Sequence, residues 1–596
     1  MKRLMPKSIP VSWWVLMSLL VSMIFGFYHL AIPKLFGNPN YSPLTLNTNT
    51  PSFAVDETIA YATKTQEVLS GHIAMSDLFI FEYKDSPSPL RGEIVPALIA
   101  AGLAKLGGGM AEGFILADFI WPALTFFILT IFFYSMTKKK FFAPVVALMI
   151  MFFYNYLRFF PYLPSALKIA VKALTVGSYS HFIRSFHPQI SFFFFMLALL
   201  VCWQMIEEKK NKLDKHYWWI LGILLSLLIY SYFFFWTFGL AFGLVIMIWS
   251  KWKNQIKLSK KLIKALGLAL ILGMPFFINI LKFYSLPLSE SFVRNVTFKS
   301  ADEIKLLGLL IVLALTARWW LKNKQQAFFW QSFYLTGIVL VVGTMITGLA
   351  IDDPLGHWGV RVIYPLTTGF LLVLIGQKIR FKVATWLLIS CLLLAYQARV
   401  HWQYFKNQNQ VFYLEPERKE VFNWINDHLD RDTVILTSGL KDNLYLSVYT
   451  HANVFIPRSQ HSLAPDTETL ERFLLLYKIV KIPIERVEMM FSLTENNQQL
   501  RQRGRFNFDD CGGHYLYFRR FIGKDYYNCS VSSHHLNTIL KNYKQISGDL
   551  NKWQQKYRMD YWLWGLNEKE WAKINPDNLG WQLVWKNQDY QLFKLF

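Results

Sequence analysis

The sequence predicts an α-helical polytopic membrane bundle of about eleven helices, followed by a C-terminal extracytoplasmic α/β domain. Three observations lead there. Hydrophobic residues make up 53% of the 596 positions, aromatic residues make up 17%, and the mean hydropathy is +0.25, more apolar than an ordinary water-soluble chain. Many apolar runs approach the roughly 20 residues that a helix needs to cross about 30 Å of hydrocarbon. Lysine and arginine gather at alternate junctions between those runs.

The runs lie near 11–31, 114–136, 141–157, 189–206, 217–232, 233–250, 262–283, 304–320, 327–350, 360–377 and 383–399. Their flanks agree on a direction. Lys2, Arg3 and Lys7 precede the first run, and Lys138 to Lys140, Lys209 to Lys215 and Lys251 to Lys264 follow at alternate junctions. Arg318, Lys322 and Lys324, then Lys378, Arg380 and Lys382, complete the series. Positive residues mark cytoplasmic ends, so an odd number of spans puts the N-terminus in the cytoplasm and everything after Arg399 outside. The expected location is a bacterial cytoplasmic membrane. The first run is long and aromatic and continues as Tyr28-His29-Leu30-Ala31-Ile32-Pro33 without a small-residue cleavage site, which predicts a retained anchor.

Composition changes abruptly near Arg399, dividing the chain into a transmembrane domain over 1–399 and an outer domain over 400–596. In the outer domain, Glu417 to Leu429 has helical spacing and Asp432 to Thr437 reads as a strand. Leu470 to Val480 is a second amphipathic run, and Asp560 to Gly565 and Tyr590 to Leu595 read as further strands. The net charge of +23 does not point to nucleic acid, because the cations sit beside hydrophobic runs as topology determinants do. Cys202 and Cys391 fall in apolar runs, where a thiol packs as a small apolar group. Cys511 and Cys529 fall in the outer domain, whose oxidising compartment permits a disulfide between them.

Shortly after the first run stands the acidic pair Asp56-Glu57, followed by Thr58-Ile59-Ala60-Tyr61 and, further on, Glu67-Val68-Leu69-Ser70-Gly71-His72. This stretch resembles the first outer loop of the GT-C superfamily of polytopic glycosyltransferases, the protein O-mannosyltransferase and aminoarabinose-transferase kind. The likeness continues through Ser86-Pro87-Ser88-Pro89 and covers the first third of the chain best. The resemblance implies transfer of a sugar from a polyprenyl-phosphate donor by an inverting displacement, with Asp56 as catalytic base and Glu57 as its assistant. A solvated acidic pair is the plainer reading, since Glu67, Asp77, Glu82, Asp85 and Glu93 make the whole loop acidic.

Such a reaction needs a carboxylate to take the acceptor's proton and cations to hold the departing phosphate. Asp118, near the start of the second run, is a second candidate catalytic carboxylate, or a group that hydrogen-bonds the first loop. The second outer loop carries Arg158, Lys168, Lys172 and Arg184 with no acid, against the cytoplasmic bias of the other cations. Lys168 and Lys172 share one face of an expected interfacial helix, where they would meet lipid phosphate. Arg184 and His187 then place a guanidinium and an imidazole at the next membrane boundary. In the last outer loop, Asp352, Asp353 and His357 are candidate substrate contacts, and their side chains would also suit a divalent ion, although no spacing is diagnostic. Arg361 opens Arg361-Val362-Ile363-Tyr364-Pro365, which resembles the Arg-Tyr start of a late helix in GT-C proteins with the tyrosine displaced. Its planar guanidinium can grip two phosphate oxygens at once. A salt bridge to Asp352 or Asp353 is its alternative role.

The expected partners are a polyprenyl-phosphate sugar, membrane lipids and a glycan, lipid or protein acceptor, with the sugar left open. Two rivals remain at the level of sequence. An oligosaccharyltransferase-like enzyme would use Ser289-Glu290 in the loop after the seventh run, but its Trp-Trp-Asp motif is missing. A lipid-linked sugar flippase or transporter would place ionisable groups near span centres, whereas most here gather at span ends.

Overall fold

The computed structural model describes residues 11–45, 56–157, 182, 184–207, 215–287, 300–347, 355–379, 381–408, 412–459, 461–492, 517–518, 521 and 531–596. In chain order its helices begin with α1 (Val11–Leu35), α2 (Asp56–Leu69), α3 (Ile94–Gly107), α4 (Met110–Thr137), α5 (Phe142–Leu157), α6 (Ser191–Glu207) and α7 (Tyr217–Ile229). They continue with α8 (Phe233–Trp252), α9 (Ile256–Tyr284), α10 (Ser300–Trp320), α11 (Lys324–Thr347), α12 (Tyr364–Lys378) and α13 (Val383–Gln408). A π-helical turn over Leu355–Ile363 leads into α12.

Seven helical stretches are long and apolar enough to cross a membrane: Ser12–Leu35, Met110–Thr137, Phe233–Trp252, Ile256–Tyr284, Lys324–Thr347, Trp358–Gly376 and Val383–Gln403. Shorter apolar helices cover Phe142–Phe152, Ser191–Glu207 and Tyr217–Ile229. Leu19, Ile271, Leu281, Leu388 and Leu392 are exposed on these helices. Apolar side chains spread over several long helices in this way need hydrocarbon rather than water around them, and the chain is a multi-pass membrane protein.

The chain forms two compact units. The first comprises Met1–Ile32, Phe114–Phe277 and Arg294–Asn407. Within it α6 packs on α7 and α8, α11 packs on α8 and α10, and α12 packs on α5. Aromatic rings fill the interior: Trp330 lies against Phe333 and Phe370, and Phe329 meets both Trp203 and Phe242 edge-on. Edge-to-face contacts of this kind add to the packing gained by burial alone. Where α1 meets α4, Gly26 lets the two backbones come close, since a Cβ there would stand 2.4 Å from the Phe119 ring. Ser22 donates to the Phe119 carbonyl at 2.7 Å at the same contact.

The second unit comprises Pro33–Gly113, Ile278–Val293 and Gln408–Phe596. Its helices include α14 (Pro416–His428), α15 (Leu440–Tyr449) and α16 (Asp466–Ile479). Strands β1 (Val434–Leu436), β2 (Asn453–Val454), β3 (Tyr561–Trp564), β4 (Gln582–Lys586) and β5 (Gln591–Lys594) form one sheet in the order β2-β1-β3-β5-β4. The β2-β1-β3 side is parallel and the β3-β5-β4 side is antiparallel. All three residues of β1 are buried, as a central parallel strand requires. The segment between α1 and α4 is part of this unit. The Val454 amide donates to the Phe79 carbonyl at 2.8 Å. Asp77 accepts from the amides of Phe79 and Ile80 through one oxygen, and from Ser462 and the Leu463 amide through the other. Arg472 joins Glu468 to Glu82 and lies 3.9 Å from the centre of the Tyr557 ring.

Candidate functional site

In the first unit, the turn before α6 is held by its own hydrogen bonds. The Phe186 carbonyl accepts from the amides of Ile190 and Ser191 and from the Ser191 hydroxyl. Phe186 itself has φ +60°, a left-handed conformation that a bulky residue adopts only when its surroundings fix it. Because the Ser191 hydroxyl proton goes to that carbonyl, its oxygen accepts from His187 Nδ1 at 3.0 Å. The hydrogen-bond network therefore assigns a proton to Nδ1.

His187 stacks on Tyr232, with ring centres 4.0 Å apart and planes inclined by 22°. Tyr232 is the residue immediately before α8, and Arg361 holds its guanidinium 5.1 Å from the centre of the same ring. Both His187 and Arg361 are buried. Arg361 projects from the π-helical turn, where an extra residue per turn widens the backbone; such turns are rare and recur at functional sites. A cation and an imidazole on one aromatic ring make a site suited to an anion.

Asp118, on α4, is tied to the same turn by Gln189, which stands two residues after His187. Its Oδ1 accepts from Gln189 Nε2 at 2.5 Å, and its Oδ2 meets His29 Nε2 at 2.8 Å and the Tyr28 hydroxyl at 3.3 Å. Asp118, His29, Tyr28 and Gln189 are all buried. The sequence places Asp118 near the start of its span, but α4 extends back to Met110 and puts the carboxylate in its third turn, away from solvent. An apolar groove of about 450 Å³ lies beside Tyr28, lined also by Leu20, Met23, Phe27, Leu394 and Trp402.

In the second unit, α2 begins at Asp56 and Glu57 and packs on α3 and α15. Its far end carries Glu67, whose carboxylate lies 3.3 Å from Lys84 Nζ. His72 adjoins both, with Nδ1 3.0 Å from Lys84 Nζ and Nε2 3.1 Å from Asp432. Burial pushes the Glu67 carboxyl up to about 7, against the opposing pull of Lys84. Burial, with Lys84 beside it, lowers the His72 imidazole.

The structure thus brings His187 and Arg361 to one ring and ties Asp118 to the His187 turn. Arg184 is half-buried at the start of that turn, where its carbonyl accepts from the Gln189 amide at 3.3 Å. The backbone of Asp56, Glu57 and His357 is helical, while their side chains lie outside the described part. Lys168, Lys172, Asp352, Asp353, Ser289, Glu290, Cys511 and Cys529 lie outside the described residues. Among the described residues, no group of three or more His, Cys, Asp or Glu could hold a metal ion. Sequence reasoning missed His29, Gln189 and Tyr232. An imidazole inside an apolar run was the available signal for His29; Gln189 and Tyr232 carry none.

By fold and site the chain is a multi-pass membrane protein with a buried polar cluster at the ends of its apolar helices and a second unit built around a mixed sheet. No protein-family model matches it, and no curated protein does. It is similar to the solved structure of an oligosaccharyltransferase from Archaeoglobus fulgidus in complex with zinc and sulfate, with TM-score 0.43 and 10% identity, covering 97% of this chain and 72% of that one. It is also similar to ArnT from Cupriavidus metallidurans bound to undecaprenyl phosphate, with TM-score 0.43 and 9% identity, covering 98% of each chain.

Proposed function

We propose that this protein is an inverting membrane glycosyltransferase of the O-mannosyltransferase or aminoarabinose-transferase kind. It moves a sugar from a polyprenyl-phosphate donor to an acceptor at the outer face of a bacterial cytoplasmic membrane. The observation that carries this reading is the pairing of Arg361 and His187 on the Tyr232 ring. Both residues lie at helix ends that the lysine pattern assigns to the outer face. A buried guanidinium beside an imidazole stabilises the charge that develops on a departing phosphate. The apolar groove beside Tyr28 offers a hydrocarbon chain a surface within the same unit.

In this reading the acceptor hydroxyl loses its proton to Asp56 as its oxygen bonds the anomeric carbon, and Glu57 assists. The bond from that carbon to the phosphate oxygen breaks with inversion, and the phosphate leaves toward Arg361 and His187. Arg184, Lys168 and Lys172 add positive charge for the donor, and Asp352, Asp353 and His357 contact the substrate. The region over 400–596 serves as an outer domain that recognises the acceptor.

The test is transfer by the full-length protein in proteoliposomes supplied with radiolabelled polyprenyl-phosphate sugars and an envelope extract as acceptor. Label should leave the lipid fraction, appear on acceptor and release polyprenyl phosphate. Label that crosses the bilayer while still attached to its lipid would instead identify a transporter.

A further inference from the structure

The Asp118 carboxylate is the meeting point of three chain segments in the first unit. His29 and Tyr28 reach one oxygen from α1, and Gln189 reaches the other from the turn before α6. Three hydrogen bonds from three buried side chains leave this carboxylate a poor proton acceptor for a substrate hydroxyl, because each oxygen is already engaged. The same arrangement makes it a strong anchor. Gln189 is two residues from His187, and its own amide bonds the Arg184 carbonyl, so fixing Gln189 fixes the turn that carries both cationic candidates.

We propose that Asp118 and Gln189 are positioning residues. Their bond holds the 184–190 turn so that His187 stacks on Tyr232 beside the Arg361 guanidinium, and the pair thereby sets affinity for the donor phosphate without taking part in proton transfer. The proposal rests on the reading that Arg361 and His187 receive that phosphate. It differs from a merely structural role because the effect is directional: it falls on anion binding through one retained or deleted hydrogen bond. The link needs an acceptor oxygen at position 118, not a charge. An asparagine keeps that oxygen for Gln189 and turns its amide toward the imidazole of His29, which accepts in its other tautomer.

Two variants separate the roles. Asp118→Asn keeps an acceptor for Gln189 but removes the carboxylate, while Gln189→Met keeps the volume and removes the donor. Binding of polyprenyl phosphate to the full-length purified protein, and single-turnover transfer at saturating donor, are measured for each, with thermal unfolding in parallel. Asp118→Asn should bind within about threefold of the parent and transfer at a similar rate. Gln189→Met should bind about tenfold more weakly, the effect of one lost buried hydrogen bond, with the saturated rate little changed. A loss of about 100-fold or more in the saturated rate of folded Asp118→Asn overturns the proposal and makes Asp118 catalytic. Unchanged binding by Gln189→Met overturns it as well. If Gln189→Met fails to fold, Gln189→Asn, too short to reach Asp118, takes its place under the same criterion. Arg361→Ala in the same series keeps the two readings apart. Should Arg361→Ala bind polyprenyl phosphate normally, the phosphate assignment itself falls; should it bind weakly while Gln189→Met binds normally, only the positioning role falls.

Discussion

The Arg361 guanidinium lies 5.1 Å from the centre of the Tyr232 ring. A planar cation over an aromatic face gains roughly 2 kcal/mol when desolvated, and its fork of N–H groups matches two phosphate oxygens. Lysine in its place retains the charge and loses the plane. Arg361→Lys should therefore weaken binding of polyprenyl phosphate by about tenfold, with the protein still folded, as titration of the purified protein would record. Affinity equal to the parent would return Arg361 to a structural role.

The approach of α1 to α4 at Gly26 leaves no room for a methyl group, since a Cβ would fall 2.4 Å from the root of the Phe119 ring. Gly26→Ala should separate the helices that carry His29 and Asp118, costing about 1–3 kcal/mol of stability and lowering the apparent Tm in detergent. Donor binding should fall with it. A variant as stable as the parent would mean that Phe119 yields at little cost.

The Glu67 carboxyl, raised from 4.5 to about 7 by burial, binds its proton more tightly in the folded protein than in the unfolded chain. Its contribution to stability is thus fully present below about pH 4.5 and is lost as pH rises through about 7. His72 shifts the other way, so its contribution is lost as pH falls below its ordinary range. Glu67→Gln mimics the protonated acid. The variant should gain on the parent between pH 5 and pH 8 by of order 1–3 kcal/mol, read as a growing difference in apparent Tm. Parallel pH profiles would show that burial does not raise the Glu67 carboxyl.

Much of the first unit is legible because crossing hydrocarbon demands long apolar runs, and a helix overlaps each of the runs named from sequence. The run 304–320, for example, lies within Ser300–Trp320. In the second unit, α14 occupies the amphipathic stretch after Glu415 and β1 lies within Asp432 to Thr437. Strand β2 has two residues and no alternation to betray it, and β4 shows none of the burial that marks a central strand. The site is less legible than the fold. Asp118 and Arg361 announce themselves as charges near apolar runs, but the Asp118 partners His29 and Gln189 are 89 and 71 residues away in sequence. Nor does anything in the segment between α1 and α4 reveal that Glu82 pairs with Arg472 across 390 residues.

The distribution of lysine predicts a sidedness that labelling can test. In a background without native cysteines, Lys586→Cys should react with an impermeant thiol reagent in intact cells, or in spheroplasts where an outer membrane intervenes. Lys139→Cys should react only after permeabilisation. The reverse pattern would invert the faces assigned to every helix.

The most direct test of the proposed chemistry is the transfer rate of Asp56→Asn, measured beside its binding of polyprenyl phosphate and its thermal stability. Removing a positioned general base costs roughly 100- to 10,000-fold in rate, far more than the loss of a solvated charge. Asp56→Asn should lose transfer on that scale while it folds, inserts and binds polyprenyl phosphate like the parent, and Glu57→Gln should be milder. Near-parental transfer by Asp56→Asn would contradict the assignment and place the base elsewhere.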